Sequence, residues 1–115
     1  ITNIWGTTNN IVTKNGSLNN SQAKVNQDGT YTFILGVNDP GVFNWLDPSG
    51  LSEGILTLRW SGFPNEIVGE NLFAKSKVML INEALIEITD DHRISSEERL
   101  NQLHAREESY RWRTE

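Results

Sequence analysis

Apolar and polar residues alternate in three stretches of the chain, and a period of two marks a strand with one buried face. Within Thr30 to Val37, the residues Tyr31, Phe33, Leu35 and Val37 share a face. Within Ile55 to Trp60, Leu56, Leu58 and Trp60 share one face and Ile55, Thr57 and Arg59 the other. Ala74 to Leu80 resumes the alternation, with Lys75 and Lys77 set against Ser76, Val78 and Leu80, and is read as a further strand. Ile1 to Thr8 has strand-favouring residues in Ile4, Trp5 and two threonines, interrupted by Gly6 and closed by Asn9-Asn10.

The first of these alternating runs belongs to a predicted hairpin, whose other arm is Ala23 to Asn26. A two-residue turn at Asp28-Gly29 would set Lys24 against Phe33 and Asn26 against Tyr31, mixing polar and aromatic side chains on one face. A three-residue loop at Gln27-Asp28-Gly29, with Gly29 left-handed, sets Val25 against Tyr31 and Ala23 against Phe33 instead. The second register is the consistent one, and it gathers Ala23, Val25, Tyr31, Phe33, Leu35 and Val37 on one side.

Between the strands lie loops with strong turn chemistry. Lys14 to Asn20 is rich in Gly, Ser and Asn. Asn38 to Gly54 contains Asp39-Pro40-Gly41 and Asp47-Pro48-Ser49-Gly50, with Asn44-Trp45-Leu46 between the two turns. Ser61-Gly62-Phe63-Pro64 breaks the strand pattern, and Glu66 to Asn71 reads as loop. Asn82 to Glu87 fits a short helical turn, inside an apolar run from Val78 to Ile88 that period alone does not resolve.

The tail is the strongest helix. Ser95 and Glu98 form a capping box, Glu97 and Glu98 suit the positive end of the helix dipole, and Arg106, Arg111 and Arg113 suit the later turns. Its apolar stripe, Leu100, Leu103 and Tyr110, is narrow, so the helix is expected to lie across a surface rather than inside a core. These elements together predict a mainly β domain over residues 1–94, an antiparallel β-sandwich or jelly-roll-like pair of layers, closed by a C-terminal α-helix over 95–113.

Composition narrows the function classes. The 115 residues are 37% hydrophobic and 22% charged, a globular balance, and no apolar run is long enough to span a bilayer. A net charge of -5 would repel a phosphate backbone, which argues against nucleic acid as a partner. With no cysteine there is no disulfide and no thiolate metal site, and the compartment stays open. The first residue is Ile1 rather than Met, and the opening residues lack a signal-peptide layout, which is read as a start inside a longer protein. Asn15-Gly16-Ser17 and Asn19-Asn20-Ser21 match the glycosylation pattern but arise in an Asn-rich stretch by composition.

Candidate chemistry is sparse. Asp39, Asn44 and Asp47 offer oxygen donors in one loop, but their spacing lacks the alternation of a calcium loop, and capping their own turns explains them better. Asp90-Asp91-His92 and His104 read as a solvated turn and an exposed helical position. Trp5, Trp45 and Trp60 would make a sugar-binding platform only with exposed indole faces; Trp60 is in phase with core leucines, and Trp45 suits a plug that pins its loop. Arg59 points away from that leucine face, where an anion clamp and a plain surface arginine are both open. Neither a metal nor a cofactor is implied.

The runs Asp28-Gly29-Thr30-Tyr31, Asn38-Asp39-Pro40-Gly41-Val42-Phe43-Asn44-Trp45-Leu46-Asp47 and Gly54-Ile55-Leu56-Thr57-Leu58-Arg59-Trp60 resemble the domain of unknown function 1214 family. Ser95-Ser96-Glu97-Glu98-Arg99 and Arg106 resemble that family's C-terminal helix with its recurrent arginines, so the likeness runs from about Ile1 to Arg113. It implies a β-sandwich-like region at the C-terminal end of longer, mostly bacterial proteins, and it brings no established reaction. The chain departs from the pattern at Phe43, where a proline is common, and at Leu51, where a histidine is common.

The expected role is therefore a C-terminal structural or interaction domain without a self-contained catalytic site, packed on an upstream domain or on a second copy of itself. One alternative is a carbohydrate or small-ligand module built on the 38–54 loop with Asp39, Asn44, Trp45, Asp47 and Arg59. Another is a domain that lends Asp39, Asp47 or Arg59 to an active site shared with an N-terminal region.

Overall fold

The computed structural model describes residues 1–61 and 75–114. The loop expected over 66–71, the break at Phe63-Pro64 and the first residue of the Ala74 strand fall outside them.

The predicted sandwich is not what forms. Two strands of two residues each, β1 (Ile34–Leu35) and β2 (Trp45–Leu46), pair in parallel, with Ile34 beside Trp45 and Leu35 beside Leu46. One short parallel pair makes neither a β-sandwich nor a jelly roll. Residues 55–60 contribute only an isolated antiparallel bridge between Thr2 and Ile55, and residues 75–80 form no strand. Gly54 is needed at that bridge, since a Cβ there would collide with the Thr2 carbonyl. Ile1 to Thr8 is a turn held by bridges from Thr2 to Thr8 and to Ile55.

The hairpin shows why pairing stops. Its turn forms in the predicted register: the Asn26 amide donates to Thr30 O at 2.7 Å, and Gly29 has φ +85°. Asp28 Oδ1 accepts from the Thr30 amide at 3.0 Å and from its hydroxyl at 2.6 Å. Two residues further along each arm, Lys24 and Thr32 would exchange the next pair of ladder bonds. The Asn44 carboxamide takes their place. Its Oδ1 accepts from the Lys24 amide at 2.8 Å, and its Nδ2 donates to Lys24 O at 2.8 Å and Thr32 O at 3.0 Å. A side chain thus intercepts the ladder, and the apolar face of the arms stays open: Val25, Tyr31, Phe33, Leu35 and Val37 are 37–50% exposed.

The expected helical turn is α1 (Ile81–Ile86), followed by a 3₁₀ turn over Asp90–His92. The long tail helix, α2 (Ser96–Thr114), begins at the predicted capping box. There the Ser95 amide donates to Glu98 Oε2 at 2.6 Å and the Glu98 amide to Ser95 Oγ at 3.2 Å. The face that α2 turns inward is polar. Arg99 and Arg106 are each 5% exposed, whereas Leu100 is 67% exposed. Arg99, Gln102 and Arg106 fall at i, i+3 and i+7, one side of a helix. The centre against which they pack is the 39–50 loop, where Val42, Trp45 and Leu46 are the buried hydrophobic residues among those described.

Candidate functional site

Two turns shape the 39–50 loop. Asp39 Oδ1 accepts from the Gly41 amide at 2.9 Å, and Gly41 takes φ +71°, a conformation that a β-carbon would strain. Asp47 Oδ1 accepts from the Ser49 amide at 2.8 Å, and the Leu51 amide donates to Pro48 O at 3.2 Å. Between these turns, Val42 bridges to Arg93, with the Phe43 amide on His92 O at 2.8 Å and the Ile94 amide on Gly41 O at 2.9 Å. The loop is thereby tied to the segment that leads into α2.

Arg99 enters this loop from the first turn of α2. Its Nε donates to Asp39 Oδ2 at 2.9 Å and its Nη2 to Asp39 Oδ1 at 3.1 Å, a two-pronged pairing. Nη2 also donates to Val42 O, and Nη1 donates to Gln102 Oε1 and, at 3.4 Å, to Phe43 O. A guanidinium has five N–H donors, and all five are engaged. The plane of Arg99 lies over the Trp45 indole, with Cζ 5.1 Å from the ring centroid. Gln102 extends the network, donating to Phe43 O at 3.1 Å and accepting from Asn15 Nδ2 at 2.8 Å. Further along the helix Arg106 Nε donates to Ile11 O at 2.5 Å, and burial lowers the pKa of its guanidinium.

The structure brings Asp39, Asn44, Trp45 and Asp47 together in one loop and leaves Arg59 apart on the surface. Each of the four is already occupied. Asp39 holds Arg99, Asp47 caps its own turn and Asn44 wedges the hairpin. The Trp45 indole is 8% exposed and donates through Nε1 to Gly36 O at 2.8 Å, so it has no face to offer a sugar ring. Sequence reasoning placed the loop but not its centre. Arg99 and Gln102 were the missing members, and their signal was the i, i+3, i+7 spacing with Arg106.

A second feature is a cleft of about 310 Å³ beside the hairpin turn, lined in part by Asp28, Glu87, Asp91 and His92. Asp91 is exposed while His92 is 4% exposed, so only part of the expected solvated turn is solvated. His92 Nε2 lies 3.7 Å from Asp91 Oδ2. Hydrogen bonds from Thr30 hold the Asp28 carboxyl below its ordinary range, and Lys77 and Thr89 do the same for Glu87 and Asp91. All three are therefore ionised at neutral pH, and none is poised to give up a proton. Among the described residues no three His, Cys, Asp or Glu side chains gather to hold a metal ion. No described helix is long and apolar enough to cross a membrane.

No protein-family model, curated protein or solved structure matches the chain.

Proposed function

We propose that this chain is a structural, interaction-making domain whose apolar faces are covered by another polypeptide surface, either an upstream domain of the same protein or a second copy. The observation that carries this reading is the distribution of large apolar side chains. Val42, Trp45 and Leu46 are buried, while Tyr31, Phe33, Leu35, Leu56, Leu58 and Trp60 are each 37–49% exposed. Exposed apolar side chains that gather in a patch mark an interaction face in a natural protein. Phe33, Leu46, Leu56 and Leu58 already line one shallow groove of about 80 Å³, which joins the hairpin to the 55–60 segment.

The loop network is the scaffold that displays these faces. Its polar side chains are spent on one another, as in Asp39, Arg99, Gln102 and Asn15, or on backbone groups, as in Asn44 and Asp47, which favours a framework role over chemistry on a substrate. Light scattering together with binding of the fluorescent hydrophobic probe ANS tests the proposal. The expected result is an oligomer, or a monomer that brightens ANS strongly. A folded monomer that leaves ANS dark overturns it.

A further inference from the structure

The exposed 55–60 segment has a geometry that fits one partner in particular. Both backbone groups of Ile55 are used on the Thr2 side, its amide donating to Thr2 O at 3.0 Å and its carbonyl accepting from the Thr2 amide at 3.0 Å. Along an extended strand the backbone groups of successive residues turn to opposite edges. Gly54, Leu56 and Leu58 therefore address the edge away from Thr2. Among the described residues, 56–60 make no backbone hydrogen bond at all. Leu56, Leu58 and Trp60 are exposed by 42–46%. An alternating apolar segment with an open edge is a template for strand addition.

Charge selects the occupant. Glu53 and Arg59 are both exposed, and neither has an ion pair among the described residues. In an antiparallel pairing of two copies centred on Leu56, Leu56 meets Leu56 and Leu58 meets Gly54, and Arg59 comes beside Glu53 at the bend where the copy's segment begins. The two-fold axis repeats that last contact, giving two opposite-charge pairs, and it sets the leucines of both copies side by side on one face. Sliding the register by two residues sets Arg59 opposite Ile55 and leaves Glu53 opposite Ser61, without an ion pair. The same segment thus carries both halves of its own complement.

We infer that residues 54–58 pair antiparallel with the same residues of a second copy, in the register that brings Arg59 to Glu53 at the bend of the copy. This rests on the interaction role proposed above and names the partner for that face. The pairing is self-closing, so it yields a dimer rather than a growing fibre.

Sedimentation equilibrium of the chain over a rising concentration range tests it, with R59E, E53R and the doubly reversed R59E/E53R. The wild-type chain dimerises. Each single reversal turns both ion pairs into like-charge contacts and weakens the dimer roughly tenfold or more, and the double reversal regains wild-type affinity. Recovery in the double variant also shows that the singles did not fail by misfolding. A dimer indifferent to the single reversals, or one that the double does not restore, overturns the register and leaves the interaction role standing. Open-ended association overturns the closed pairing. A monomer that brightens ANS overturns the second copy as occupant and leaves the face to an upstream domain, whereas a monomer dark to ANS overturns both readings.

Discussion

Asn44→Asp is the sharpest perturbation of this fold, because it changes one atom at the point where the hairpin is wedged open. The Asn44 side chain donates two hydrogen bonds through Nδ2, to Lys24 O at 2.8 Å and Thr32 O at 3.0 Å, and the residue is 2% exposed. An aspartate oxygen there faces two carbonyl oxygens, with no donor between them. Two lost hydrogen bonds and a buried, unpaired carboxylate together cost about 3–5 kcal/mol near neutral pH. That is a large part of the roughly 5–15 kcal/mol that holds a domain folded. The pH dependence follows from the same contacts. The buried carboxyl favours its proton, so its pKa in the folded variant lies above the unfolded value of about 3.9. Below about pH 4 the carboxyl is protonated in both states, its hydroxyl restores one donor, and the deficit is smallest. Between the unfolded and the folded pKa the deficit deepens by about 1.4 kcal/mol per pH unit, and it levels off above the folded pKa. Urea denaturation of wild type and variant at pH 4 and pH 7, with Asn44→Ala as a pH-insensitive reference, reads both quantities. A loss equal at the two pH values, or a variant as stable as wild type, refutes the wedge.

Arg99→Lys keeps the charge but removes the planar fork that reaches Asp39, Val42, Phe43 and Gln102 at once, and it is expected to lose about 2–4 kcal/mol in urea denaturation. Trp45 fluorescence is expected to report that transition, and because Trp5, Trp60 and Trp112 also contribute, a background with those three replaced by Phe isolates it. Ser95→Ala removes half of the capping box and lowers stability by about 1 kcal/mol, with frayed amide exchange confined to the first turn of α2. Because hydrogen bonds from Thr30 depress the Asp28 pKa, its contribution to the hairpin turn is full above the unfolded value and fades as the pH falls through the folded one. A proton NMR titration of the Gly29 and Thr30 amides is expected to move only in that acidic range, and Asp28→Asn removes the transition.

What the sequence disclosed divides along a physical line. The turn at Gln27-Asp28-Gly29, the Asp39 and Asp47 turns and the Ser95 capping box are settled by residues two or three apart, and each formed as its chemistry requires. Trp45 was also legible as a plug, since a large indole between two tight turns has few places to go other than inward. The sandwich was not legible because alternation reports which side of a strand is apolar and says nothing of what pairs with its edges. The Asn44 wedge lies twenty residues from one arm of the hairpin and twelve from the other, beyond any local pattern. The inward, buried roles of Arg99 and Gln102 escaped notice for a different reason. A helix is read by its apolar stripe, and here the inward stripe is polar while Leu100 faces out.

That inversion bears on how the chain holds together. A guanidinium with every donor satisfied, stacked on an indole, fixes the geometry of the 39–50 loop with directional bonds, but an ion pair taken out of water returns little net free energy. Burial of apolar surface is the term that normally outweighs chain entropy, at about 25 cal/mol per Å². Among the described residues that term is small within the fold and large on its surface, at the hairpin face and along 55–60. Directional bonds therefore set the shape, and an outside surface supplies most of the remaining driving force. Folding and association become linked on this account, so apparent stability rises with partner concentration. Melting curves recorded across a hundredfold range of chain concentration are expected to shift to higher temperature with concentration when the partner is a second copy. A midpoint that stays fixed over that range separates a chain stable by itself from one that borrows its core.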